Sequence, residues 1–239
     1  MTAPEGIRIN RYLAMCGLGA RRAVERLVSG GHVAVDGETV TDLAFRVARG
    51  AIVSVDGRKV TARRRYRYVA FYKPRGVLTT SRDRFRRRTV PDVLPPALRS
   101  LKPVGRLDAD TEGLLLLTDD GAWAHRVAHP SFGVVKRYLV EVGGRVTGAE
   151  REALEQGIEL RDGHLGKVEV ERIAVRKGTS FVTVAAAYGR KRMIRQMFAA
   201  LGHRIRTLRR VAVGPVRVGD LRPGEWRELT SREVEALRG

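Results

Sequence analysis

The sequence predicts an α+β protein of two domains, in which a small module of helices and short strands precedes a larger domain. Three observations predict it: apolar residues at helical spacing near the N-terminus, a change to alternation after Gly30-Gly31, and a series of strand-like segments beyond residue 66. The chain has 239 residues and is 43% hydrophobic, which suffices for one substantial core and a smaller one.

The N-terminal module is predicted to contain a helical hairpin and a small sheet. Gly17 and Gly19 separate two apolar sets at helical spacing, and the strands that follow turn at Asp36-Gly37 and Asp56-Gly57. We assign residues 1–60 to this module. The apolar sets are Ile9, Tyr12 and Leu13, then Ala23, Val24, Leu27 and Val28, and the strands are His32 to Val35, Ile52 to Val55, and Lys59 to Val60.

The larger domain is predicted to span residues 67–239, after a basic linker at 61–66. Its sheet should be mixed, mostly antiparallel and flanked by helices, because strand-like and helix-like segments are interspersed. Capping-box spacing marks helices after Thr147 and Thr230, and a third should run from about Met193 to Leu201. The predicted strands are Tyr68 to Tyr72, Leu114 to Leu117, Tyr138 to Val142, Val168 to Val175, Phe181 to Ala185, and Arg204 to Val213.

The charge distribution indicates a polyanionic partner. The chain has 46 Lys and Arg against 26 Asp and Glu, a formal net charge of +20. Residues 58–88 contain thirteen basic side chains and one acidic one, Asp83, and residues 172–219 contain no acid. An arginine-rich coding bias is the alternative, but it would not remove carboxylates from such long stretches. We therefore expect a nucleic acid partner.

Several function classes lose support from the sequence. A single cysteine, Cys16, excludes an internal disulfide framework, and we expect a cytoplasmic location because neither a signal peptide nor an eighteen-residue apolar run is evident. No Walker-type phosphate loop, GxGxxG motif or paired-cysteine spacing occurs, which argues against nucleotide hydrolysis, dinucleotide redox chemistry and zinc binding. His125 and His129 have helical spacing but lack a third ligand, so we expect no metal.

Four segments of the chain carry a resemblance to a known family. They are Lys73 to Gly76, Val104 to Gly121, Gly189 to Met197, and Leu221 to Leu229. The second of these segments contains Gly105-Arg106-Leu107-Asp108. Together with Leu18 to Ala23 and Gly31 to Gly37, they resemble the bacterial rRNA pseudouridine synthases with an N-terminal S4 domain, and more the large-subunit branch (type B) than the small-subunit branch (type A). The resemblance implies an S4-like RNA-binding domain, a pseudouridine synthase domain and no cofactor. The implied partner is rRNA, 23S rather than 16S, or a pre-ribosomal particle, and no membrane is expected. We also expect a monomer.

The resemblance also implies the site residues. Asp108 would be the nucleophile and Tyr138 would stack on uracil and assist proton transfer, while Arg195 would form a salt bridge with Asp108, because a nearby cation favours an ionised carboxylate. Three positions depart from the family pattern. The family usually has Glu where this chain has Tyr188, Asn or His where it has Lys191, and Gln where it has Met193. The substrate-binding residues that the resemblance implies in the larger domain are Arg106, Ile194, Lys73, Arg190 and Arg192. In the N-terminal module, helical spacing places Arg8, Arg11, Arg21, Arg22 and Arg26 on one face, and we expect Arg21, Arg22 and Arg26 to contact RNA.

Two rival functions fit parts of the sequence. The carboxylates Asp110, Glu112, Asp119 and Asp120 permit a two-carboxylate glycosidase, but the implied reaction remakes a bond to the same sugar, and a second acid would repel phosphate. A non-catalytic S4-type rRNA-binding or ribosome-assembly protein would account for the charge and the N-terminal module equally well, and substitution of Asp108 separates it from the enzyme.

Overall fold

The computed structural model describes residues 6–19, 21–62, 66–80 and 83–238. The chain divides into two units, Met1–Tyr66 and Arg67–Gly239. The predicted basic linker, residues 61–66, falls at this division, and its residues 63–65 lie outside the described residues.

The first unit contains the predicted helical hairpin and small sheet. Asp36 and Asp56 have φ angles of 51° and 49° and are each followed by a glycine of positive φ, which are the backbone conformations that tight hairpin turns require. The hairpins give a four-stranded sheet in the order β3-β2-β5-β6, and β1 pairs with β4. The elements are β1 (Ile7–Arg8), α1 (Ile9–Met15), α2 (Arg21–Ser29), β2 (Val33–Val35), β3 (Glu38–Thr39), β4 (Arg46–Val47), β5 (Val53–Val55) and β6 (Arg58–Val60).

The second unit contains all six predicted strands and the three predicted helices, with shorter elements between them. The elements are β7 (Tyr68–Lys73), α3 (Val90–Val93), β8 (Lys102–Pro103), β9 (Glu112–Thr118), α4 (Gly121–Ala128), β10 (Lys136–Gly143), α5 (Gly148–Gln156), β11 (Ile158–Glu159), β12 (Leu165–Gly166), β13 (Glu169–Arg176), β14 (Thr179–Ala186), α6 (Met193–Ala200), β15 (Ile205–Val213), β16 (Val216–Arg217), β17 (Trp226–Glu228) and α7 (Ser231–Ala236).

Within the described part of this unit, nine strands form one sheet. Its main path is β13-β14-β10-β15-β9-β7-β17, with β16 beside β15 and β8 beside β9. The strand β9 lies inside the sheet and is buried on both faces: Leu115 and Leu117 pack in one apolar cluster, and Leu114 and Leu116 in another. A continuous apolar run is typical of such a strand, because neither face meets water.

The helix α4 was not predicted, although its capping signal is present in the sequence. The side chain of Asp120 accepts hydrogen bonds from the backbone N–H groups of Ala122 and Trp123, at 3.0 and 3.1 Å. The sequence Asp119-Asp120-Gly121 alone has the composition of a turn. The N-cap role of Asp120 can be recognised only from the structure, in which the helix that follows buries Trp123 and Val127.

Candidate active site

A parallel pair of strands brings together two segments that are far apart in the sequence. β9 and β15 run parallel, with Glu112 opposite Arg209 and Gly113 opposite Arg210. Because parallel strands begin at the same edge of a sheet, the loop before β9 and the helix α6 before β15 lie at that edge together. Asp108 is in this loop, and Arg195 is in this helix.

The loop around Asp108 is attached to neighbouring backbone by short hydrogen bonds. The hydroxyl of Thr79 donates to the carbonyl of Leu107 at 2.7 Å, and the N–H of Gly76 donates to the carbonyl of Ala109 at 2.7 Å. These bonds fix the backbone on both sides of Asp108, whose side chain is half-buried. A carboxylate in such a loop is held in place before any substrate arrives.

The predicted salt bridge between Asp108 and Arg195 is wrong in this structure. Arg195 instead donates from Nη2 to the backbone carbonyl of Asp110 at 2.8 Å, and its Nε lies 3.3 Å from Oδ2 of Asp110 without the alignment of a hydrogen bond. Arg192 binds the same carboxylate with two parallel hydrogen bonds of 3.1 Å. Asp110, two residues beyond the predicted partner, therefore holds both arginines.

The charges of this cluster act on one another. Burial raises the pKa of the Asp110 carboxyl, but the hydrogen bonds from Arg192 and the charges of both arginines outweigh it, so the pKa is lowered overall. Burial lowers the pKa of Arg195, and the negative charges of Asp110 and Asp108 oppose that shift. Hydrogen bonding to Asp110 raises the pKa of Arg192, and the charges of Asp110 and Asp108 add to that rise. The charge of Asp108 also opposes the lowering of the Lys73 pKa by burial. Asp108 therefore lies within the field of three cations.

Lys73 is buried in the structure rather than open to a substrate. Its ammonium donates to the carbonyls of Pro74 and Val77, at 2.9 and 2.7 Å, and its side chain has no exposed surface. Burial lowers its pKa to about 8, against the raising effect of the carboxylates at 110, 112 and 108. In this structure two carbonyl oxygens accept hydrogen bonds from the ammonium, and the role of Lys73 in substrate binding stays a prediction.

Tyr138 lies in the same region of the sheet. On β10 it is opposite Arg210 of β15, which is opposite Gly113 of β9, so the three positions form one row across three strands. Its half-buried ring packs against two apolar clusters, one containing Leu107 and the other Ile194. Leu107, which precedes Asp108, and Ile194, which precedes Arg195, thus belong to two clusters that both contact Tyr138.

The other predicted substrate-binding residues of this unit are mostly exposed. Arg106 lies two residues before Asp108, and Arg190 is exposed with its guanidinium 3.5 Å from Asp162. Arg192 precedes α6 in the left-handed conformation, with a φ of 57°. Ile194 is almost fully buried in the cluster beneath Tyr138.

Sequence reasoning missed Arg210 as a residue of this region. It is 4% exposed, its Nε donates to the carbonyl of Leu114 at 2.7 Å, and its Nη2 has no hydrogen-bond partner in the described part of the chain. The available signal was a charged residue on the inward face of a predicted strand, where a buried cation is uncommon.

In the first unit, four arginines line a groove of about 290 Å³ together with Gly6 and Ile7. They are Arg8, Arg11, Arg21 and Arg46. Arg21 donates to the side chain of Asn10 at 3.3 Å, whereas Arg22 and Arg26 on α2 do not line the groove. The arginines that were predicted to contact RNA are thus divided: Arg21 lines the groove, and Arg22 and Arg26 do not. Arg46 also lines the groove, because its strand β4 pairs with β1.

The histidine pair at 125 and 129 stacks, with ring centroids 4.9 Å apart, and contacts Phe132. Nδ1 of His129 lies 2.7 Å from the hydroxyl of Ser131. Among the described residues, no three His, Cys, Asp or Glu side chains are grouped as metal ligands, and no helix has the length and apolar character to cross a membrane.

Comparison with known proteins identifies the family. The model of the RNA pseudouridylate synthase family matches residues 67–200, and that of the S4 domain matches residues 7–53. The chain belongs to the RNA pseudouridine synthases. It is therefore an RNA-modifying isomerase of the rRNA pseudouridine synthase type with an N-terminal S4 domain, as the sequence resemblance predicted.

Three further comparisons support this assignment along nearly the whole synthase. The ribosomal large subunit pseudouridine synthase B of Bacillus subtilis is 36% identical, over 97% of this chain and 95% of its own. The ribosomal small subunit pseudouridine synthase A of Vibrio parahaemolyticus is 32% identical, over 97% of this chain and 99% of its own. A crystal structure of a pseudouridylate synthase superposes with a TM-score of 0.68 at 28% identity, covering 97% of this chain and 99% of the other.

Two of the three departures from the family pattern have structural roles in this synthase. The hydroxyl of Tyr188 donates to the carbonyl of Leu165 at 3.1 Å and accepts from the N–H of Lys167 at 3.0 Å. Met193 is buried in the cluster that contains Ile194. Lys191 has an exposed side chain, and its carbonyl accepts a hydrogen bond from Gln196.

Proposed function

We propose that this synthase isomerises one uridine of 23S rRNA and that Asp108 is its nucleophile. The observation that carries the proposal is the placement of Asp108: a carboxylate in a loop with fixed backbone, in the field of Lys73, Arg192 and Arg195, at the edge where Tyr138 lies. A nucleophile that is held at a fixed position loses little orientational freedom when it reacts.

The reaction needs no external atom or electron. The carboxylate of Asp108 assists cleavage of the C1′–N1 glycosidic bond, the uracil turns within the site, and C5 then bonds to C1′. N1 gains a proton and C5 loses one, so the product is an isomer of the substrate. A base that undergoes this change must first leave the RNA stack and enter the site.

The remaining site residues have distinct proposed roles. Tyr138 stacks on the extruded uracil and assists the proton transfer at C5, because its ring is half-buried where the two apolar clusters meet. Ile194 supplies apolar surface beside the base. Arg195 contributes its charge to the site from its bond to Asp110, and Arg106 enters the position that the flipped nucleotide leaves.

Phosphate contacts are proposed for arginines of both units. In the second unit these are Arg190 and Arg192, and in the first unit Arg21, Arg22 and Arg26, of which Arg21 lines the arginine groove. The guanidinium group of arginine is planar, so it can donate two parallel hydrogen bonds to two oxygens of one phosphate.

The choice of 23S rRNA is supported by two similarities. The closing segment Leu221 to Leu229 resembles the large-subunit branch, and the relative named for the large subunit shares 36% identity, against 32% for the one named for the small subunit. A monomer in the cytoplasm is part of the same proposal.

The experiment compares the wild-type chain with Asp108→Asn on unmodified 23S and 16S rRNA transcripts. We expect Asp108→Asn to lower pseudouridine formation by more than about a thousand-fold, because the nucleophile is lost, while RNA affinity changes little. The control is Asp220→Asn, an exposed carboxylate in a loop. Unchanged modification by Asp108→Asn would exclude the nucleophile role, and modification of 16S alone would exclude the proposed substrate.

A further inference from the structure

One carboxylate organises the arginine-rich segment that follows β7. Oδ2 of Asp83 accepts hydrogen bonds from the backbone N–H groups of Phe85 and Arg87, both at 3.1 Å. The guanidinium of Arg87 returns to the same carboxylate, with Nη2 2.7 Å from Oδ1. The sole acid among residues 58–88 is thus used to close a turn, and its side chain is only 9% exposed.

The turn at residues 83–88 presents an aromatic ring beside two cations. Phe85 is 64% exposed, the largest exposed fraction among the large hydrophobic side chains of the described residues. The guanidinium carbons of Arg84 and Arg87 lie 4.7 and 5.2 Å from its ring centroid. An exposed ring flanked by arginines is the arrangement with which proteins stack on unpaired bases and bind the adjoining phosphates.

The backbone of the turn is strained at a third arginine. Arg86 has a φ of 55°, in the left-handed region that glycine adopts without cost and other residues adopt at a cost. Its side chain is exposed. A glycine would satisfy the turn better, so a charged side chain at this position serves something other than the fold of the turn.

The turn is attached to the candidate active site at its base. Leu78 donates to the carbonyl of Arg88 at 2.9 Å, and Thr79, the next residue, bonds through its hydroxyl to the carbonyl of Leu107. Leu107 immediately precedes Asp108. A ligand that binds the turn is therefore held at a fixed position relative to the loop that contains Asp108.

We propose that the turn at residues 83–88 binds an unpaired stretch of rRNA beside the target uridine, with Phe85 stacked on a base and Arg84, Arg86 and Arg88 on phosphates. The inference rests on the proposed function, because it assigns part of the RNA to a surface next to that site. Arg87 orients the turn through Asp83, and so positions Phe85 rather than taking a phosphate of its own.

The experiment measures the affinity for a 23S rRNA transcript, and the rate of pseudouridine formation, over a range of salt concentrations. The variants are Phe85→Ala, Arg86→Gly and Asp83→Asn. The matched control is Phe132→Ala, which removes another exposed phenylalanine with an arginine over its ring, at 5.1 Å. Thermal unfolding of every variant tests whether the fold is retained.

Each variant has a distinct expected result. Phe85→Ala weakens binding by roughly 5- to 100-fold at an unchanged salt slope, because stacking involves no counterion release. Arg86→Gly leaves the protein at least as stable but reduces the magnitude of the slope of log affinity against log salt by about 0.7. Asp83→Asn weakens binding although it makes the protein more positive, because the turn loses its closing carboxylate.

Two results would overturn the proposal. One is wild-type affinity in both Phe85→Ala and Arg86→Gly, and the other is tighter binding by Asp83→Asn, which charge alone predicts. The control should change affinity by less than about two-fold, and an equal loss in Phe132→Ala would count against a specific role of this turn. If the wild-type protein forms no pseudouridine while these binding results hold, the proposed function fails and the RNA surface remains.

Discussion

At the scale of single residues, Gly113 is required by the contact between two strands. A Cβ atom at this position would lie 2.4 Å from the backbone oxygen of Arg210, and the φ of Gly113 is +100°. The parallel pairing that brings Asp108 and Arg195 to one edge therefore depends on a residue without a side chain.

We expect Gly113→Ala to destabilise the fold by at least about 2 kcal/mol, because both the backbone angle and the space oppose a side chain. Denaturant unfolding measures it. The matched control is Gly121→Ala at the start of α4, where no atom lies within 4 Å of the added Cβ, and its effect should stay within about 0.5 kcal/mol. Equal stability of the two variants would contradict the packing argument.

A second prediction at this scale concerns Asp110, which holds Arg192 and Arg195. Asp110→Asn keeps the backbone bond to Arg195 but removes the negative charge opposite Nε of Arg195 and weakens the paired bonds from Arg192, so we expect kcat to fall about ten- to a hundred-fold, with a smaller change in KM. Steady-state kinetics on rRNA measures both constants. Asp162→Asn, which removes a carboxylate 3.5 Å from Arg190, is the control. An unaltered kcat in Asp110→Asn would show that Asp110 does not position the site.

At the scale of elements, local signals predicted helix starts well where the whole signal lies within a few residues. Thr147 with Glu150 and Thr230 with Glu233 both form the predicted capping boxes. The start of α3 has the same box, formed by Thr89 and Asp92, but its helix of four residues is too short for a periodic pattern. This short helix therefore escaped prediction for lack of length rather than lack of a cap.

The end of β7 should make stability depend on pH through Lys73. Its folded-state pKa of about 8 lies below its ordinary value of 10.5. Between these two pH values the unfolded chain binds more protons than the folded one, so the free energy of unfolding rises with pH across this window and is flat below it. Lys136, whose pKa burial also lowers to about 8, adds to the same rise.

We therefore expect Lys73→Met to reduce the slope of the unfolding free energy between pH 8 and 10.5, while Lys136 preserves part of it. Urea unfolding at several pH values measures the slope. Lys59→Met, at an exposed position of β6, should leave the slope unchanged. A wild-type slope in Lys73→Met would mean that burial of this ammonium has little energetic effect.

At the scale of the whole molecule, the net charge of +20 governs association with RNA. Neutralised phosphates release condensed counterions, so affinity should fall steeply as salt rises. For six to ten phosphate contacts we expect a loss of roughly a thousand-fold to a hundred-thousand-fold between 50 and 200 mM salt. Filter binding of an rRNA transcript measures it, and a nearly flat response would contradict a phosphate-binding surface.

The sequence by itself determined the family, both domains, every long strand and the segment that contains Asp108, because these follow from local periodicity, capping patterns and contiguous motifs. Only the tertiary structure decided which acid holds Arg195, that Lys73 faces inward, and that Arg210 lies beside Tyr138. The bond between Arg195 and Asp110 joins residues 85 positions apart. Such pairings depend on strand register and on the space left after packing, which no local pattern records.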